Sequence, residues 1–138
     1  MALNKGNLGL TTQIGVGSSH AVVVVGSGKT VYMKSMLICN NDAAERSVVY
    51  IHAVPNNSGA LGLGNSTTVI ARLGISTADT YFFEPAYPVT LTSTNDSIYV
   101  ENTGPSEGIN VIALGDTEIE LWELKAPTKE IKKPFGIF

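Results

Sequence analysis

Two stretches decide the fold class. Val31-Tyr32-Met33-Lys34-Ser35-Met36-Leu37-Ile38-Cys39 stops at the turn cluster Asn40-Asn41-Asp42. Arg46-Ser47-Val48-Val49-Tyr50-Ile51-His52-Ala53-Val54 follows and stops at Pro55 and the loop Asn56-Asn57-Ser58-Gly59. Apolar, β-rich runs bounded by turn formers read as strands. These two are expected to form a hairpin, or to be neighbouring strands across one corner.

Outward from this pair the period stays near 2. Further strands are expected at Thr11–Val16, His20–Val25, Thr67–Leu73, Thr80–Phe83, Val89–Leu91, Ser97–Val100, Ile109–Leu114 and Thr117–Leu124, with Gly, Pro, Asn or Ser between them. Short strands recurring about every 10 residues mark an all-β sandwich or barrel. A helix has no room. Asp42-Ala43-Ala44-Glu45 is one turn at most, and Gly59-Ala60-Leu61-Gly62-Leu63-Gly64 is too rich in glycine. A parallel sheet needs crossover helices of about 10 residues or more, and none is available. The expected fold is therefore all-β, an antiparallel β-sandwich of jelly-roll or Ig-like topology. Residues 1–10 are expected as an N-terminal arm, 11–124 as the sandwich, and 125–138 as a basic and aromatic C-terminal arm.

Composition narrows the function. The 138 residues are 43% apolar and only 15% charged, against roughly 25% charged in an average soluble domain. The single Cys39 cannot pair within its own chain. The longest apolar run, Ala21–Val25, is far short of the ~20 residues that span a membrane. The sequence Met1-Ala2-Leu3-Asn4-Lys5-Gly6 has no apolar core of a secretory signal, so none is expected.

The net charge of −3 is unevenly spread. Leu73–Leu124 holds nine acids and no Lys or Arg, and residues 1–124 carry −6. Residues 125–138 hold four lysines and one Glu, net +3. An acidic body with a short basic tail disfavours nucleic acid, whose phosphates need a basic stripe. The tail ends in Pro134-Phe135-Gly136-Ile137-Phe138, three large apolar side chains that gain burial only by docking. Lys129, Lys132, Lys133, Phe135, Ile137 and Phe138, with Trp122, are the expected partner-binding residues, docking on the acidic body of a neighbouring subunit.

No motif reaches the chemistry of an enzyme. Val25-Gly26-Ser27-Gly28-Lys29-Thr30 has the end of a phosphate-binding loop, but the first Gly of Gly-x-x-x-x-Gly-Lys-Thr falls on Val23, and a strand rather than a helix follows. A hairpin turn is the expected reading. Asp116, Glu118 and Glu120 alternate and share one strand face, with Thr117, Ile119 and Leu121 facing inward. Stacked carboxylates could hold a hard cation, but a solvated sheet face is the plainer reading. Trp122 falls on the acidic side and suggests that another element or subunit covers part of that face. His20 and His52 sit in expected strands, with no zinc-ligand spacing and no nucleophile elbow. No catalytic residue, cofactor or metal is expected.

The order of segments resembles a known group. Leu37-Ile38-Cys39-Asn40-Asn41, then Arg46 to Val54-Pro55, then Gly59, is similar to small β-sandwich proteins of tailed-bacteriophage virions. Thr80-Tyr81-Phe82-Phe83 with Pro85, Val89-Thr90-Leu91, Asn95-Asp96-Ser97-Ile98-Tyr99-Val100, Gly108-Ile109-Asn110-Val111 and Gly115-Asp116-Thr117-Glu118 continue the likeness over roughly residues 31–120. The resemblance implies a structural virion protein made in the host cytoplasm: a capsid decoration (cement) protein, or else a tail, baseplate or fibre module that binds host glycan or receptor, with exposed aromatics such as Tyr81, Phe82 and Tyr87 as the expected platform. It implies self-association, as a homotrimer, and contact with the major capsid protein or other virion proteins. It carries no catalytic residues to transfer.

Overall fold

Ten strands follow one another in a computed structural model that describes residues 2–9 and 12–119. They are β1 (Ala2–Asn7), β2 (Thr12–Ile14), β3 (Ser18–Val24), β4 (Lys29–Asn40), β5 (Ser47–Val54), β6 (Val69–Ile75), β7 (Thr80–Phe83), β8 (Val89–Leu91), β9 (Ser97–Pro105) and β10 (Ile109–Ile119). No helix occurs among the described residues. One sheet (sheet A) runs β1-β10-β4-β7, with β2 also on β10 and β8 also on β4. The other (sheet B) runs β3-β9-β5-β6, and every pairing in both sheets is antiparallel.

The order has a simple logic. β1 pairs β10, β3 pairs β9, β4 pairs β7 and β8, and β5 pairs β6, like one long hairpin with its tip between β5 and β6. Rolling that hairpin up adds the lateral pairs β10–β4 and β9–β5. With β1/β2 and β7/β8 each counted as one interrupted strand, this is the eight-stranded double Greek key of a jelly roll. Of the two expected sandwich topologies, the strand order is the jelly roll.

Inward-facing side chains fill the space between the sheets. Met33, Met36 and Ile38 of β4 alternate with outward Leu37 and Cys39 and meet Val49 and Ile51 of β5, Ile98 and Val100 of β9, and Ile109 and Val111 of β10. All of these core residues are essentially inaccessible, each contributing roughly 1.5–3 kcal/mol of burial for a large aliphatic side chain. At the far end of β4 the core turns polar. Asn40 donates to the carbonyls of Glu45 (2.8 Å) and Ser76 (3.1 Å), while its Oδ1 accepts from Ser106 Oγ (2.6 Å) and from the amide of Asp42 (3.0 Å). Asn102 donates to the carbonyls of Ile14 (3.2 Å) and Ser106 (3.0 Å). These buried amides satisfy backbone groups where the chain leaves the sheets. The turn cluster after Cys39 is thus an internal clamp as well as a surface turn.

Three expectations change. Ala2–Asn7, expected in an arm outside the sandwich, form β1 and pair with β10 from Ile119 back to Leu114. The pairing rests on backbone hydrogen bonds to an otherwise open edge, which a polar segment makes as well as an apolar one. The Ser27-Gly28 turn is present, with Gly28 at φ 70°, but it joins β3 of sheet B to β4 of sheet A and closes no hairpin. The expected strand 109–114 and the described part of the expected strand 117–124, as far as Ile119, share one strand, β10, which runs through Gly115 with a register shift at Leu114/Gly115. A Cβ on Gly115 would lie 2.0 Å from the Tyr32 carbonyl oxygen, so this glycine permits close backbone approach at a bulge. β4 and β5 lie in different sheets, which is the corner arrangement.

Candidate interaction surface

Strand alternation gives sheet A an outer face in two unlike halves. Toward the Asn40 end, Thr80 and Phe82 of β7 lie beside Cys39 and Leu37 of β4, which lie beside Asn110 and Ile112 of β10. Leu114 extends this row opposite Ser35. No side chain in this half is charged. Phe82 is 53% exposed and Leu37 is 37% exposed, while Ile112, Leu114 and Cys39 are half-buried. A cross-strand apolar row left open on a sheet face is a feature that calls for a partner.

The other half is polar. Lys34 Nζ lies 2.6 Å from Asp116 Oδ2, and Tyr32 donates its hydroxyl to Glu118 Oε1 at 2.8 Å. That hydrogen bond to a carboxylate, with the Glu118 charge itself, holds the Tyr32 hydroxyl above its ordinary pKa of 10.0. Asp116 and Glu118 share the outer face, as their spacing predicts. Asp116 differs from the expected solvated residue: its side chain is only 9% exposed beneath the Lys34 ammonium. Both carboxylates already have close partners. Leu3 of β1 and Pro88 complete the shallow hollow around them.

On the outer face of sheet B, the glycine-rich loop lies against the strands. A Cβ on Gly62 would meet the Pro55 carbonyl at 2.5 Å, and one on Gly64 the His52 ring at 3.0 Å. Tyr99 donates its hydroxyl to the Gly62 carbonyl at 3.1 Å beneath it. His52 is buried, with Thr68 Oγ1 2.8 Å from Nδ1 and Glu101 Oε1 2.9 Å from Nε2. Hydroxyl, imidazole and carboxylate in line is the order of a nucleophilic relay. Here the Thr68 hydroxyl also accepts from the Asn65 amide (3.0 Å) and lies 2.9 Å from the Asn65 carbonyl, enclosed by its own turn. The arrangement is a strut from β5 through His52 to the loop. His20, on β3, pairs across β9 with Val100, whereas His52 pairs with Tyr99, so the two histidines belong to opposite faces. Arg72 stacks its guanidinium 4.8 Å from the centre of the Tyr50 ring, and the two line a hollow with Glu101.

Of the sequence-predicted partner-binding residues, Trp122, Lys129, Lys132, Lys133, Phe135, Ile137 and Phe138 all lie outside the described residues. Phe82, expected as an exposed aromatic, is exposed; what sequence reasoning missed is the apolar row it forms with Leu37, Ile112 and Leu114. Its signal was available in the alternation, since Leu37 stands out of phase with Met36 and Ile38. The lateral pairing β7-β4-β10 that makes a row of these residues joins segments far apart in the chain.

No protein-family model matches the chain, and no curated protein matches it. Among solved structures, the chain is similar to one in the "nora virus structure", with TM-score 0.39 and 9% identity over 85% of this chain and 60% of that one. It is also similar to a chain in the structure of infectious bursal disease virus Gx strain, with TM-score 0.33 and 8% identity over 84% of this chain. This chain therefore spans 60% of the length of the first and 30% of the second.

Proposed function

We propose that this chain is a non-enzymatic structural protein of a virion, a capsid decoration (cement) protein of a tailed bacteriophage that acts as a homotrimer. The observation that carries the reading is the uncharged, partly open outer face of sheet A around Leu37 and Phe82. A charge-poor sheet face suits lasting contact with other subunits, because interface cores are depleted of charge. Jelly rolls also serve lectins and cupins as well as capsids, so the fold is compatible with the reading without selecting it. The residue pattern shared with phage virion proteins over roughly 31–120 supports the phage assignment. Binding across several capsid subunits would stabilise the head by mass action and avidity.

The test is to add purified protein to empty heads of the virus that encodes it and to follow co-sedimentation and thermal disruption. Stoichiometric binding with a raised disruption temperature is expected. Heads that neither bind the protein nor gain stability exclude the decoration role.

A second reading, a tail, baseplate or fibre module that binds host glycan, draws on Tyr81 and Phe82 on β7 and on Tyr87, which is 83% exposed in the β7–β8 loop. Such aromatics are platforms for sugar faces. A glycan array separates the two readings: specific binding lost on Tyr87→Ala favours the second.

A further inference from the structure

The outer face of sheet B carries two opposite charges that the fold keeps apart. Tyr50 of β5 pairs with Arg72 of β6 on one side and with Glu101 of β9 on the other, so the three form one cross-strand row. Two strand spacings put the backbones of Arg72 and Glu101 about 10 Å apart. Among the described residues Arg72 has no carboxylate at ion-pair distance, and Glu101 turns Oε1 to His52 Nε2 at 2.9 Å. The guanidinium lies over the Tyr50 ring instead, a stacking that leaves its N–H edge free to donate. The row borders a hollow of about 360 Å³, at the small end of ligand pockets, which run roughly 300–1,000 Å³.

The end of the glycine-rich loop supplies a further wall. Asn65 Oδ1 accepts from the Thr67 amide at 2.8 Å, which fixes the amide orientation and leaves Nδ2 as a donor. The Ser66 hydroxyl is exposed and bonds to no described residue. This wall is held in place from beneath. Buried His52 bonds at one nitrogen to Glu101 and at the other to Thr68, whose hydroxyl closes the Asn65 turn. Apolar packing would bury the same area, whereas a satisfied polar network also fixes one arrangement. Groups fixed beforehand lose little freedom when a ligand arrives.

Charge and hydrogen-bonding capacity define that ligand. The formal charges of Arg72 and Glu101 cancel, so the hollow favours neither an anion nor a cation. An apolar molecule would cover the guanidinium edge, the free carboxylate oxygen and the Asn65 amide without pairing them, which is costly. A hydroxyl both donates and accepts. An uncharged ring bearing several hydroxyls therefore satisfies donor and acceptor walls together.

We propose that this hollow is a binding site for an uncharged saccharide, with Arg72 and Asn65 donating to sugar oxygens and Glu101 accepting from sugar hydroxyls. The site lies on sheet B, whereas the uncharged row and Tyr81 and Phe82 belong to sheet A. It is thus separate from the surfaces invoked above and holds whether or not the chain decorates a capsid.

The experiment titrates the full, isotope-labelled chain with the methyl glycosides of glucose, galactose, mannose and N-acetylglucosamine in turn, following backbone amide shifts. Saturable shifts at residues 64–66, 72 and 101 are expected with at least one of these sugars. Arg72→Met keeps an apolar stem over Tyr50 and removes the donors; it is expected to weaken binding about tenfold or more, the loss of a hydrogen bond to a charged group. Ser66→Phe, at an exposed position with no side-chain bond, is expected to fill the hollow and abolish binding. Unchanged amide shifts in β10 report that both variants are folded. No saturable shift with any of these sugars, shifts confined to residues 81–87, or binding untouched by both variants each overturn the proposal. Preference for N-acetylneuraminic acid over the uncharged sugars overturns it too, because the charge argument then fails. The readouts need no capsid, so the sugar site and the virion role fail separately.

Discussion

His52 shows how a single side chain ties a loop to a sheet. Its ring bridges Glu101 and the Thr68 hydroxyl from a site that is 4% exposed, beneath the glycine-rich loop. His52→Ala removes both bonds, each worth roughly 0.5–1.5 kcal/mol, along with the buried ring. The expected result is a lower denaturant midpoint, with faster amide exchange in residues 62–68 than in β9. Asp42 acts at the opposite end through backbone amides. Its carboxylate accepts from Ala44 first and also from Glu107 and Glu45, which holds its pKa below the ordinary 3.8. Because the folded-state pKa is depressed, the stabilisation is present above the unfolded value and is lost as pH falls through the folded one. Asp42→Asn keeps the Oδ1 acceptor for the Ala44 and Glu45 amides, loses the Oδ2 acceptor for the Glu107 amide and removes the charge. The wild type is therefore expected to be the more stable at neutral pH, with the difference closing as pH falls below 3.8. Chemical denaturation across that range measures it.

Individual elements were legible where their pattern is local. Thr80–Phe83 and Val89–Leu91 coincide with β7 and β8, and the two deciding runs are β4 and β5. β1 was not legible, because Ala2–Asn7 has no apolar alternation and owes its strand to the open edge of β10. Gly115 misled in the other direction. A glycine before Asp116 has the composition of a turn, yet here it answers to the Tyr32 carbonyl across the bulge, a contact with a residue 83 positions earlier. Gly115→Ala is therefore expected to cost at least the 1–3 kcal/mol of ordinary overpacking, read as a fall in Tm, since backbone cannot yield as a flexible side chain does. Gly74, whose added Cβ meets nothing within 4 Å, is the control position, and Gly74→Ala is expected to be near neutral. The candidate surface was half legible: the exposure of Phe82 and the outward phase of Leu37 were readable, their pairing into one row with Ile112 was not.

For the whole molecule, the nested pairing makes the outermost layer the least local. β1 is added last on the edge of sheet A, and without it β10 presents unpaired N–H and C=O groups from Leu114 to Ile119. Open edges invite pairing with other chains. Removing residues 1–9 is expected to leave a folded sandwich that aggregates with concentration and time. Thioflavin fluorescence and light scattering check it, and a truncated chain as dispersed as the full one would count against the edge-capping role of β1.

The pairing of Ala2 with Ile119 also sets a clock on synthesis. Translation at roughly 5–20 residues per second places about 6–23 s between the appearance of the two partners. During that interval β1 has no strand to join, β4 lacks β10 beside it, and sheet A stands open on the ribosome. The tip of the rolled hairpin, β5 with β6, is complete long before. A nascent chain of this kind closes from the middle outward, and β1, made long before β10, is the last strand to find its place.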